Sequence, residues 1–205
     1  MQKYRIVCLA ARPAGLNVVQ ALSGKPNLEI VAVLTHSKRA TFEDPSRGPR
    51  PDFPLFEKLC TEIHVPLKTI DSVSEAKKLS YLDEVGIFDF LVCVSWRYLV
   101  SGEILKRPRI AAINLHRGQL PKYAGNFPLE RVLKDGVKQA TITAHLMSEE
   151  IDVGEILVED HHAIERLSGE TILDGVERVK KQLEPFYGRV AMAAIDKIAL
   201  RHQKK

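Results

Sequence analysis

Cross-links, metal clusters and membrane spans find little support in this chain. Its 205 residues include three cysteines, Cys8, Cys60 and Cys93, set far apart and without a Cys-x-x-Cys pair. That spacing argues against a disulfide framework or a structural metal, and for a reducing compartment. Long apolar runs are absent too. After Lys3 and Arg5, the stretch 6–11 is too short for a signal-peptide core or a membrane span, so no membrane partner is expected and the reading is cytoplasmic. Neither sign of charge dominates: 30 Lys and Arg against 26 Asp and Glu give +4, and the basic residues are spread rather than gathered into a stripe. Nucleic acid is therefore not implied by charge, while a small anionic substrate fits. Repeats and low-complexity tracts do not occur.

What is present is a βα rhythm. With 45% hydrophobic residues the chain can bury one core, and the expectation is a single domain over 1–205. Residues 6–11 read as a buried parallel strand that turns through Pro13 to Gly15 into a helix over 17–22, and 28–34 reads as the next strand. From 37 to 54, Pro45, Pro49, Pro51 and Pro54 exclude a regular element; this is a surface loop, either a lid over a site or a disordered excursion. A helix over 55–63, a short strand over 65–69 and a helical stretch over 72–85 follow. Residues 88–94 are a central strand by their near-continuous hydrophobicity, and 101–105 begin another helix. The expected fold is α/β, a doubly wound, mostly parallel twisted sheet with helices on both faces. An antiparallel edge closes it, formed by 155–159 pairing back on 141–147. Thr171 and Asp174 form a capping pattern that opens a helix near 172, and Glu184-Pro185 breaks it before a last helical stretch over 190–200.

The most informative stretch is 110–154. Asn114 and His116 stand two apart at the end of an apolar strand, so alternation puts both side chains on one side, where they can face one reacting centre. Taken alone, the pair is equally a turn-closing asparagine and a satisfied histidine. The segment 117–128 mixes glycine and proline without helical or strand period and reads as a shaped loop beside a site. A helix over 129–135 with Gly136 as its stop, an alternating strand over 139–147, and then Asp152 and Gly154 complete the unit.

The order Asn-x-His, the Leu-Pro-Lys-Tyr-x-Gly loop over 120–125, Pro128, a Gly before the Thr-x-Thr-x-His strand, and Asp-x-Gly at 152–154 resembles the folate-dependent formyltransferases. Several fixed spacings agree across about fifty residues, and weaker similarity runs from the first strand to about residue 175. The resemblance implies a Rossmann-like formyltransferase domain with 10-formyltetrahydrofolate as formyl donor. Asn114, His116 and Asp152 are then the catalytic residues. Formyl transfer to an amine passes through a tetrahedral species bearing an oxyanion, and needs oriented donors and proton management rather than covalent help. Asn114 would donate to the formyl oxygen. His116 would take the amine's proton or, charged, stabilise the oxyanion, and Asp152 would favour its charged form and orient a water relay.

The same resemblance assigns donor binding to the backbone of Arg97, Tyr98, Leu99 and Val100, with Met147 and Glu150. His145 is left open between packing and function, and Arg12 between a surface position and contact with an anionic substrate. The turn 11–15, Ala-Arg-Pro-Ala-Gly, lacks the Gly-Ser-Asn type loop of glycinamide ribonucleotide transformylases and is more similar to the methionyl-tRNA and sugar-nucleotide branches. No room is left before Lys205 for the OB-like domain that grips tRNA. The expected acceptor is thus the primary amine of a small, anionic molecule, an amino-sugar nucleotide or glycinamide ribonucleotide. Hydrolysis of formyltetrahydrofolate and catalytically silent folate binding are the alternatives. The segment Arg117-Gly118-Gln119 departs from the Pro or Gly followed by Ser-Leu of many relatives, on the acceptor side.

Overall fold

Strand β1, Tyr4–Ala10, is fully buried from Ile6 onward, as its unbroken apolar run requires of a parallel strand covered on both faces. The structure is a computed structural model describing residues 3–41 and 43–203. Six further strands flank β1: β2 (Leu28–Thr35), β3 (Leu67–Thr69), β4 (Phe90–Val94), β5 (Ala111–His116), β6 (Gln139–Leu146) and β7 (Ile156–Ala163), in the spatial order β3-β2-β1-β4-β5-β6-β7. The first five are parallel; β6 and β7 are antiparallel. The expected α/β sheet with an antiparallel edge is what forms, and β7 extends four residues beyond the expected 159.

Helices cover both faces. On one, α1 (Arg12–Ser23), α2 (Phe53–Glu62), α6 (Pro128–Lys134), α7 (Ile172–Leu183) and α8 (Tyr187–Gln203) pack over Cys8, Val92 and Leu115. On the other, α3 (Val73–Lys78), α4 (Tyr81–Val85) and α5 (Gly102–Leu105) pack over Val7, Leu9 and Leu91. Three elements differ from expectation for local reasons. Helix α1 starts at Arg12 rather than 17, because a proline is tolerated in the first turn. The stretch 72–85 breaks in two at Leu79, which takes a left-handed conformation (φ 39°) and buries its side chain. Between α7 and α8, Glu184–Phe186 forms a single 3-10 turn, the break that Pro185 implied. Thr171 caps α7 by accepting from the Asp174 N–H.

The described residues of the loop over 37–54 are held in place. Asp71 accepts from the backbone N–H of Ser37 and Lys38 (3.3 and 3.1 Å) and from Arg97 (3.0 Å), and Arg50 N–H returns to the Ser37 carbonyl. Arg50 is 2% exposed, paired with Asp52 and lying over the Phe56 ring. Three of the loop's basic residues are thereby used internally, since Arg47 also donates to the Asp71 carbonyl and Arg39 to the Pro49 carbonyl.

Candidate active site at the carboxyl ends of the strands

Open parallel sheets bind ligands where their strands end, and β5 ends here on Asn114 and His116. The antiparallel register sets Asn114 opposite His145 of β6. Asp152 reaches the same point from the β6–β7 connection, in the left-handed conformation (φ 58°) that aspartate tolerates better than most residues. Gly154 makes the turn possible, because a Cβ there would lie 1.8 Å from the Leu146 carbonyl oxygen. A Cβ on Gly118 would come within 3.0 Å of His116 Nε2.

The three expected residues are therefore together, and a fourth joins them. Asp152 Oδ2 lies 3.2 Å from His116 Nδ1, and Oδ1 lies 3.3 Å from His145 Nε2. The Asn114 amide N–H groups point at His145 Nε2 (3.1 Å) and at Asp152 Oδ1 (3.4 Å). The Gly125 N–H also donates to Asp152 (2.8 Å), tying the shaped loop to the carboxylate. Each ring's other nitrogen faces a main-chain carbonyl: His116 Nε2–H donates to Tyr123 (2.6 Å) and His145 Nδ1–H to Leu146 (2.9 Å). The sequence leaves His145 open between packing and function, and the cross-strand register with Asn114 is what brings it to Asp152.

Burial decides the charges. His116 is 7% exposed, and that desolvation pushes its pKa below the usual histidine value, against the opposing pull of Asp152 and of the Tyr123 carbonyl. The expected preference for charged His116 is thus present but outweighed. Burial would raise Asp152, but its contact with the His145 side chain, the Gly125 N–H and the nearby imidazoles hold its carboxyl below the usual range. Cys93, in register with Asn114, has its thiol pushed up to about 12, chiefly by burial, which leaves no thiolate for nucleophilic chemistry.

Of the residues expected at the donor, Tyr98, Val100 and Met147 pack with Trp96 against the face of the sheet that carries Leu91, Cys93 and Ala112. Two buried polar atoms in this region, Trp96 Nε1 and Ser101 Oγ, have no hydrogen-bond partner among the described residues, which suits a ligand with a polar edge. Arg97 is held by Asp71 and the Lys38 carbonyl, and its N–H points at His36 Nε2 (3.5 Å). The buried His36 ring lies against Trp96 (centroids 4.2 Å apart) and edge-on to Tyr98, a support no local motif announced. Leu99 and Glu150 are exposed and lie outside this cluster. Arg12 pairs with Glu43.

Comparison with known proteins agrees with this geometry. A family model described as Formyl transferase matches residues 5–190. Methionyl-tRNA formyltransferase of Microcystis aeruginosa is 26% identical over 195 residues, covering 95% of this chain and 57% of that protein. The Mesoplasma florum counterpart is 24% identical over 193 residues, 91% of this chain and 59% of its own length. The chain thus spans under two thirds of these relatives. Phosphoribosylglycinamide formyltransferase of Brucella melitensis superposes with a TM-score of 0.71 at 21% identity, covering 97% of this chain and 96% of that one. A formyltetrahydrofolate deformylase of Pseudomonas syringae gives 0.65 at 19%, covering 93% and 60%. At those identities the structures attest the fold. By the match over 5–190, with Asn114, His116 and Asp152 gathered at the end of β5, the chain belongs to the formyl transferase family.

Proposed function

We propose that this chain forms one catalytic unit that transfers the formyl group of 10-formyltetrahydrofolate to the primary amine of a small anionic molecule in the cytoplasm, with Asn114, His116 and Asp152 as its catalytic residues. The observation that carries the reading is the convergence of Asn114, His116 and His145 on one ion, Asp152, beside a half-buried aromatic patch. The folate supplies an activated one-carbon acyl group. Tyr98, Val100 and Met147 hold it by packing, and Arg97, Leu99 and Glu150 contribute backbone or rim contacts.

The chain's own work is electrostatic. Asn114 turns an amide N–H to the formyl oxygen as negative charge develops there, and removing one such donor costs on the order of 100-fold in rate. His116, kept neutral by burial, accepts a proton as the amine attacks the formyl carbon, Asp152 stabilises the imidazolium at 3.2 Å, and the proton is returned to N10 as the C–N10 bond breaks and tetrahydrofolate leaves. His145 steadies the carboxylate's other oxygen.

A second reading, with methionyl-tRNA as acceptor, is favoured by the similarity to the two methionyl-tRNA formyltransferases. The test is tetrahydrofolate release from 10-formyltetrahydrofolate, measured alone and with amino-sugar nucleotides, glycinamide ribonucleotide or methionyl-tRNA. Release that depends on one of the small amines is the expected result. Dependence on methionyl-tRNA moves the acceptor to the second reading, and equal release without any amine overturns transfer in favour of hydrolysis.

A further inference from the structure

Strand β5 divides the site between two faces. Asn114 and His116 project with Ala112 toward the face where Trp96, Tyr98 and Met147 pack, whereas Leu115 belongs to the face covered by α1, α6 and α8. Arg117 continues the Leu115 side. Its Nε–H donates to Tyr187 Oη at the start of α8 (2.8 Å), its guanidinium lies over that ring at 5.8 Å, and Nη2–H reaches Ser95 Oγ at 3.5 Å. Both partners are neutral hydroxyls. The neighbouring Arg12, Arg50 and Arg97 each hold a carboxylate, but no carboxylate among the described residues lies within 4 Å of Arg117.

A guanidinium has five N–H groups, and here two of them are used, both on uncharged oxygen. Glu184 acts on Arg117 only from beyond ion-pair distance, and a half-buried cation with no directly paired carboxylate gains when an anion docks on its free fork. The place is also right, since Arg117 directly follows His116 and its charge acts on that imidazole and on Glu184. We propose that Arg117 is the specificity residue for the acceptor: it binds a carboxylate or phosphate that the acceptor carries near its amine, on the face of β5 opposite the donor. This rests on the formyl-transfer reading, which it deepens by stating what the acceptor must bear and which side chain reads it.

The test compares binding of glycinamide ribonucleotide and an amino-sugar nucleotide with that of their phosphate-free counterparts, glycinamide riboside and the free amino sugar. It uses the wild type, Arg117→Gln and Arg117→Lys, with a folate titration alongside. Charge-assisted fork pairing predicts a preference of roughly 10- to 100-fold for an anionic amine in the wild type. That preference is lost in Arg117→Gln and partly kept in Arg117→Lys, while folate affinity is unchanged in all three. A preference that survives in Arg117→Gln, or no preference in the wild type, overturns the proposal. Should Arg117→Gln fail to fold, the Nε–H resonance of wild-type Arg117 decides: it shifts with phosphorylated amines if the proposal holds and stays fixed if it does not. Failure of folate to bind the wild type refutes the formyl-transfer reading separately.

Discussion

Asp152 presents one oxygen to His116 and the other to His145, and each ring spends its remaining nitrogen on a main-chain carbonyl. One carboxylate thus orients both rings, so displacing it disturbs His116 and His145 together. Because burial lowers His116, a base at this position is already neutral below the ordinary value of 6.5. The ascending limb of kcat against pH, read at saturating acceptor so that the free amine's own titration drops out, should lie below 6.5, and a limb above that value would remove His116 as the base. His116→Ala and Asp152→Asn should abolish turnover while leaving folate binding intact, checked by single-turnover assay and fluorescence titration; loss of folate binding in folded variants would contradict these roles. Gly154→Ala forces a Cβ into the Leu146 carbonyl and should cost about 1–3 kcal/mol in urea denaturation, with turnover lost as Asp152 is displaced. The gathering of Asn114, His116 and Asp152 could be anticipated because their spacing and type suit one chemistry. The place of His145, left open by the sequence, comes from pairing with β5, and the surroundings of Arg117 come from where α8 begins.

Helices and strands whose limits are written in local chemistry came out as the sequence implied: Gly136 stops α6, Thr171 caps α7, and the alternation in β6 pairs as expected. The loop over 37–54 was illegible for the opposite reason. Its order derives from Asp71, more than 15 residues away, and from a charge pair sealed inside it. That pair gives a signed prediction. Asp52→Ala strands the Arg50 guanidinium at 2% exposure and should cost about 3–5 kcal/mol, whereas Arg50→Met with Asp52→Leu should be close to neutral. Chemical denaturation of the two variants separates the cases, and equal destabilisation would show that shape rather than charge holds the loop.

For the molecule as a whole, acid should act first at the strand ends. His36 is pushed down to about 3, mainly by burial, with Arg97 and Arg50 adding to the depression and the Ile70 carbonyl and Asp71 opposing it. The folded protein therefore resists a proton that the unfolded chain accepts near 6.5. The contribution is full above pH 6.5 and is lost progressively as pH falls toward 3, a decline on the order of a few kcal/mol that His36→Gln should flatten. Thermal melts between pH 4 and 7 measure it, and parallel profiles for wild type and variant would exclude His36 as the source. The sheet as a class was readable because β4 is apolar throughout and β1 and β2 nearly so, but which helix covers which strand was not. In the protein, α8 lies on α1 and over the strands of the same face, and Gln203 reaches back to Tyr4. A ribosome delivers β1 first of these elements and α8 last, so at roughly 5–20 residues per second the part of that face lying under α8 stays open for many seconds of synthesis. Chaperones have that interval in which to bind, and completion of the fold waits on residues 187–203.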